Sequence, residues 1–492
     1  MRKVTGILAI VGVAVFIAGY VVTGEQNNTK TYVQENLLTI PPLIDSREVN
    51  NDIELVIQNG EHEFFSGIKS ITKGFSQFYL GPTIRLYQGT QTRITYKNDI
   101  DDPITVHGHG LHVEGKVDGG PQSQILPTQR KSFLLPIVQE AGTSWYHPHL
   151  MGKTAEHVHA GLAGLYIIED ENSQTLPLPK NYGINDIPLV VQDRSFINGK
   201  MKPYTVTSEQ MTDGLREETL VVNGTINPYH LVPAGWVRLR LLNGSNARFY
   251  RFFFADNAPF YKIATEGGFL NQPVTMTEIT MAPGERNEIM IDLSNHTSLS
   301  LRAAFLPPDP EGESVIEALF SSDPSVQRVV DLRVDKALSA QGTLPDKLNE
   351  IDDYSQIDMR TAVRRTLTMN MANDNATVNP HNMFAINGQS MNMNVINVRV
   401  KKGDLELWTV TGDEMPHPFH VHGVSFQILT HNGEPPAEED RGWKDTVVVT
   451  EEPTEILMRF HHTATQAFPF MYHCHILEHE DGGMMGQFTV LD

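Results

Sequence analysis

Four pairs of histidines, each pair separated by one residue, carry the chemistry that the chain offers: His107-Gly-His109, His147-Pro-His149, His420-Val-His422 and His473-Cys-His475. In an extended strand, residues i and i+2 project from the same face, so each pair points two imidazoles into one space. Eight imidazoles suit copper, zinc, iron or nickel. The last pair narrows the choice. Cys474, the only cysteine among 492 residues, alternates with His473 and His475, so its sulfur is expected on the opposite face. His417, His479 and Met484 are its natural partners, and Met485 is the nearest competitor of Met484. Two histidines, a cysteine and a long axial methionine define a blue-copper electron-transfer centre, whereas a structural zinc site favours more thiolates. The run from Cys474 through His479 to Met484 is one short loop, which closes around a metal at little entropic cost. The backbone from Cys474 to its two neighbours is a short electron path to the imidazoles. Reduction of O2 to water needs four electrons, and several metals acting together deliver them without releasing reactive intermediates.

Such ligands need strands, and the chain repeats one strand pattern three times. Leu80-Gly-Pro-Thr-Ile-Arg-Leu-Tyr-Gln-Gly89 leads into the alternating run 92–98. Val222-Asn-Gly-Thr-Ile226 leads through Pro233-Ala-Gly235 into 237–243. Ile386-Asn-Gly-Gln-Ser390 leads through Lys402-Gly403 into 405–410. Period-two alternation bounded by Gly, Pro and Asn marks strands and turns. Helical periodicity is absent beyond the N-terminal segment. The chain is therefore expected to be all-β, with three Greek-key sandwich or barrel domains at 32–172, 180–340 and 360–492. Polar, proline-bearing stretches at 169–182 and 335–355 read as linkers. All the paired histidines fall in the first and third domains.

Net charge is −21, with no long basic run, which argues against nucleic acid as a partner. Arg2 and Lys3 precede a charge-free run over 4–24. That run is long for a signal peptide and just long enough to span a bilayer. Residues 1–24 are expected to be either a cleaved export signal or an inner-membrane anchor, with the body outside the cytoplasm in both cases.

Val106-His-Gly-His-Gly-Leu-His-Val113 with Asp118-Gly-Gly-Pro121, Trp145-Tyr-His-Pro-His149 with Gly161-Leu-Ala-Gly164, and Met471-Tyr-His-Cys-His-Ile-Leu-Glu-His-Glu-Asp481 resemble the multicopper oxidase family. The likeness is greatest to bacterial periplasmic copper-tolerance (cuprous) oxidases. It implies three cupredoxin domains and four coppers. His417, Cys474, His479 and Met484 would hold type 1 copper, and His107 and His420 type 2. His109, His147, His149, His422, His473 and His475 would hold the type 3 pair. Asp118 and Glu480 match acidic positions that serve proton delivery. Gly108 stands where a tryptophan is common, and Met151 where a third histidine is frequent. The superfamily also includes copper-free paralogues that are structural proteins of cell division and have lost ligands.

The resemblance implies O2 as oxidant and Cu(I) as reductant. An additional substrate copper would bind Met369, Asp374, Asp413 and Met415, with Met371 as an alternative to Met369; thioether is a soft ligand suited to Cu(I). A long methionine-rich insert is absent, which leaves room for laccase-like oxidation of small phenols. His112, His157, His159, His461 and His462 are expected to be surface or hydrogen-bonded residues.

Overall fold

The computed structural model describes residues 35–306, 326–339, 341–371, 382–413 and 415–492. The expected export or anchor segment and Asp374 lie outside these residues. Among the described residues no helix is long and apolar enough to cross a membrane.

The fold is all-β, built from three pairs of packed sheets. The first pair sets Leu43–Asp45, Thr83–Tyr87, Gly164–Glu169, Gly142–His147 and His107–His109 against Ile68–Phe75, Asp52–Phe65, Gln91–Asn98 and Arg130–Pro136. Alternation makes the sandwich. Asp52–Phe65 buries Ile53, Leu55 and Ile57 and turns the intervening residues outward. These side chains meet Ile84, Leu86, Ile94 and Tyr166 in one core. The second and third pairs enclose cores of the same kind around Leu239, Phe252 and Leu301, and around Trp408, Phe419 and Phe488.

The three pairs share one wiring. In each, an early strand runs parallel to the strand after the turn: Asp52–Phe65 beside Gln91–Asn98, Asp186–Arg194 beside Trp236–Asn243, Val363–Met371 beside Leu405–Thr411. In each, the last strand runs parallel to one near the turn: Gly164–Glu169 beside Thr83–Tyr87, Val326–Val334 beside Pro228–Val232, Met485–Leu491 beside Val398–Lys401. The repeated Asn-Gly turns explain part of this. Asn223 and Asn387 adopt positive φ, which asparagine tolerates better than most residues. Asn223 accepts from the Val190 N–H at 2.8 Å and donates to the Pro188 carbonyl at 2.9 Å. Asn387 does the same with Thr368 and Thr366, at 2.8 and 3.0 Å. Each side chain thus stitches its turn to the early strand of its own sheet pair.

Candidate metal centre

Strand Phe470–Cys474 lies between His417–Val421 and Met485–Leu491 in one sheet. Its alternation separates two sites, as the spacing predicts. On one side, Cys474 Sγ lies 3.5 Å from His417 Nδ1 and 3.6 Å from His479 Nδ1. The far nitrogen of each ring is already engaged. His417 Nε2 donates to Asp413 Oδ1 at 2.9 Å, and His479 Nε2 donates to the Thr212 carbonyl at 2.7 Å. Both Nδ1 lone pairs therefore face the sulfur, the arrangement in which outer partners fix tautomer and orientation for a metal. Burial pushes the Cys474 thiol well above its usual range, so metal binding must displace a proton there. Met484 is fully buried in the same core cluster as Cys474, and its carbonyl accepts from the Cys474 N–H at 3.1 Å. Met485 packs in a different cluster, with Met391 and Met471. The two methionines thus lie in different clusters, and Met484 is the one that shares the core of Cys474.

The eight imidazoles lie on the other side, all buried. Nε2 atoms of His149, His422 and His473 form a triangle with three edges of 3.2 Å. Bonds of about 2.0–2.1 Å to one ion would subtend such edges at near-tetrahedral angles. Two of the three outer nitrogens are again engaged. His422 Nδ1 donates to Asp118 Oδ2 at 2.9 Å, and His473 Nδ1 donates to the Cys474 carbonyl at 2.9 Å. His149 Nδ1 lies 3.2 Å from Glu480 Oε1. A second group is looser: His109 Nδ1 and His147 Nε2 lie 3.4 Å apart, and neither ring nitrogen of nearby His475 has a partner. His107 and His420 complete the set. Their Nδ1 atoms donate to the backbone carbonyls of Asp118 and Asp445, at 2.9 and 2.8 Å, which leaves both Nε2 atoms unpartnered in the interior. Buried polar atoms without partners are rare, and so many converging lone pairs fit metal ions. Burial drives the His149, His422 and His473 pKa values well below the ordinary range, which keeps these rings neutral and able to ligate.

Asp118 and Glu480 both touch the cluster. Asp118 Oδ2 also lies 3.4 Å from His107 Nδ1. Glu480 accepts from Thr154 Oγ1 at 2.6 Å, and its second oxygen lies 3.3 Å from His473 Nδ1. Burial, reinforced by Asp481, pushes the Glu480 carboxyl well above its usual range, which favours its protonated form.

Sequence reasoning missed a third acid. Asp445 Oδ1 accepts from His109 Nε2 at 3.1 Å. Burial opposes its ionisation, but Arg286, at 2.9 and 2.6 Å, and His109 hold it well below the carboxylate range. The middle sheet pair, expected to supply no ligand, thus supports the site through Arg286 and the Thr212 carbonyl. It also contributes Gly284, at φ +87, where a Cβ would lie 2.8 Å from the His475 ring.

Of the proposed substrate site, Asp413 is half-buried on His417 and Met415 packs against the same core. Met369 is fully buried in that core and Met371 is exposed. Of the unassigned histidines, His112 Nε2 pairs with Ser425 Oγ at 2.9 Å and His159 with Glu217 at 2.9 Å. His157 departs from expectation: it is buried on the short helix Thr154–His159 with neither ring nitrogen hydrogen-bonded. Helical spacing sends His157 and His159 to different neighbours, so this pair makes no common site.

Sequence profiles described as multicopper oxidase match residues 57–173 and 356–492. The chain is 36% identical over 464 residues to the cell division protein FtsP of Photorhabdus laumondii, covering 93% of each. It is 36% identical over 467 residues to the multicopper oxidase mco of Staphylococcus aureus, again covering 93% of each. Among solved structures, the laccase-like multi-copper oxidase CueO from the lignin-degrading bacterium Ochrobactrum sp. superposes with a TM-score of 0.83 at 36% identity, covering 92% of this chain and 100% of that one. McoA from Aquifex aeolicus gives 0.80 at 29% identity, covering 94% and 100%.

Proposed function

The chain belongs to the multicopper oxidase family, and we propose that it couples one-electron oxidation of Cu(I) to four-electron reduction of O2 to water, in copper tolerance. The observation that carries this reading is the pairing of two buried ligand sets across one strand, sulfur to one side and eight imidazoles to the other. Copper, four ions when fully loaded, would supply the one-electron steps and the reduction of O2. The residues do the rest. Cys474 joins the two sets covalently through His473 and His475. Asp118 and Glu480 sit where protons are consumed, and the surroundings of Glu480 favour its protonated form. Asp413 orients His417 and is partly exposed, which suits it to meet a cation arriving from solvent with Met415. In this reading the three cupredoxin domains span 32–172, 180–340 and 360–492. Residues 1–24 export or anchor the body outside the cytoplasm.

Oxygen uptake with Cu(I) and with a dimethoxyphenol, in wild type and Asp413→Ala, tests the substrate. A rise in the KM for Cu(I) alone supports the reading. An equal KM for Cu(I) in both proteins overturns it, and phenol turnover alone would favour the laccase-like reading that the Ochrobactrum relative motivates. The FtsP relatives favour a structural role in cell division as a further reading. Against it, all twelve candidate ligands are present in the chain. Metal analysis decides: about four coppers and blue colour support the oxidase, and none leaves the structural role.

A further inference from the structure

The imidazole cluster has a sulfur-lined flank of its own. Met391, Met471 and Met485 form a buried cluster with partly buried Met151 packed against it, and all four members are methionine. On strand Phe470–Cys474, Met471 and His473 are two apart and share one face. Met485 stands directly opposite His473 on the neighbouring strand. The sheet face that presents His473 therefore continues into thioethers. The cluster also approaches Asp118. The point where a Cβ on Gly120 would sit is 3.7 Å from Asp118 Oδ2 and 3.9 Å from Met471 Cε. Asp118 in turn holds His422 and neighbours His107.

Exposure rises outward along this flank. Met471 and Met485 are buried, Met391 is 8% exposed, and Met393 is 38% exposed with its Sδ 3.8 Å from Gln122 Nε2. The segment that carries the outer two is held in place. The Met391 N–H donates to the Gly483 carbonyl at 3.0 Å. Gln487 Nε2 donates to the carbonyls of Asn392, Met393 and Val395, and Gln122 donates to Gln487 Oε1 at 2.8 Å. A core that only needed filling would be served by branched aliphatics with better-defined rotamers. Thioethers add one property: they are soft, neutral ligands that select Cu(I). Being neutral, they would hold a monovalent cation without burying a carboxylate, and release it to stronger imidazole donors.

We propose that Met151, Met391, Met471 and Met485, with Met393 at the mouth, form a Cu(I) entry site that loads the imidazole cluster. This rests on the reading that the imidazoles hold copper. It is separate from the substrate site on the sulfur side, where Met415 packs against the core around Cys474.

Two measurements test it. The first counts Ag(I), a redox-inert stand-in for Cu(I), retained by the desalted, copper-loaded full chain, in which copper already occupies Cys474. The double variant Met391→Leu/Met393→Leu keeps side-chain volume and should bind Ag(I) on the order of tenfold more weakly at one site. Met276→Leu, in the middle sheet pair, should not. The second follows copper content against time as copper-free full chain takes up Cu(I), and the double variant should load more slowly than Met276→Leu. Full copper loading at equal rates, with equal Ag(I) retention, overturns the entry site and leaves the oxidase reading standing. A wild-type chain that takes up no copper overturns both.

Discussion

The middle sheet pair and its two neighbours are wired alike, yet they face one another with different chemistry. The outer pairs place imidazoles at their mutual boundary. The middle pair places guanidinium–carboxylate pairs at its boundaries with them. Arg240 binds Asp186 at 2.7 Å and Glu288 at 2.9 Å, and Glu288 accepts from Thr143 of the first pair at 2.7 Å. Arg286 binds Asp445 of the third pair. Shared topology therefore does not make the metal centre. The residues at the contacts between pairs do, and the middle pair acts as a charged spacer that holds the ligand-bearing strands in register.

Four predictions break or sharpen this comparison, in decreasing order of effect. Cys474→Ser should abolish blue colour and turnover together, because no other described thiolate exists to replace it; a blue, active variant would refute the two-sided strand. Arg286→Leu leaves Asp445 in the interior without its guanidinium partner, a loss of about 3–5 kcal/mol, with copper content falling as the carboxylate that orients His109 loses its own anchor. Arg248→Leu, whose pair with Asp193 is partly exposed, should cost less in chemical unfolding. Equal losses would end the spacer account. The third change concerns pH. Burial raises the Glu478 carboxyl from 4.5 to about 7, so the fold favours its protonated form. Its contribution to stability is complete below 4.5 and is lost as pH rises through about 7. Glu478→Gln in the copper-free chain should remove that slope, a gain of roughly 3 kcal/mol over wild type by about pH 8 and little at about pH 4, read by denaturant unfolding. Smallest, Asp413→Ala should raise the KM for Cu(I) on the order of tenfold, about 1.4 kcal/mol, while the KM for phenol changes little.

The strands and the gathering of the candidate ligands were legible because both rest on period two. An imidazole at i and another at i+2 share a face in any extended strand, and Cys474 between two of them must face away. The supports were not legible. Asp445, Arg286 and the Thr212 carbonyl reach their partners across 336, 159 and 267 residues, and no local pattern marks a residue whose partner is so remote. His157 and His159 show the converse failure: the same spacing, on a helix, makes no site.

Gly284 places a further demand on the chain's history. It ligates nothing, yet one methyl group there would press on the His475 ring from a backbone conformation that disfavours any side chain. A single codon outside the ligand set is therefore enough to unseat an imidazole while every histidine remains encoded. Descent from metalloenzyme to metal-free scaffold can begin at such a position, with decay of the ligand codons following under relaxed selection.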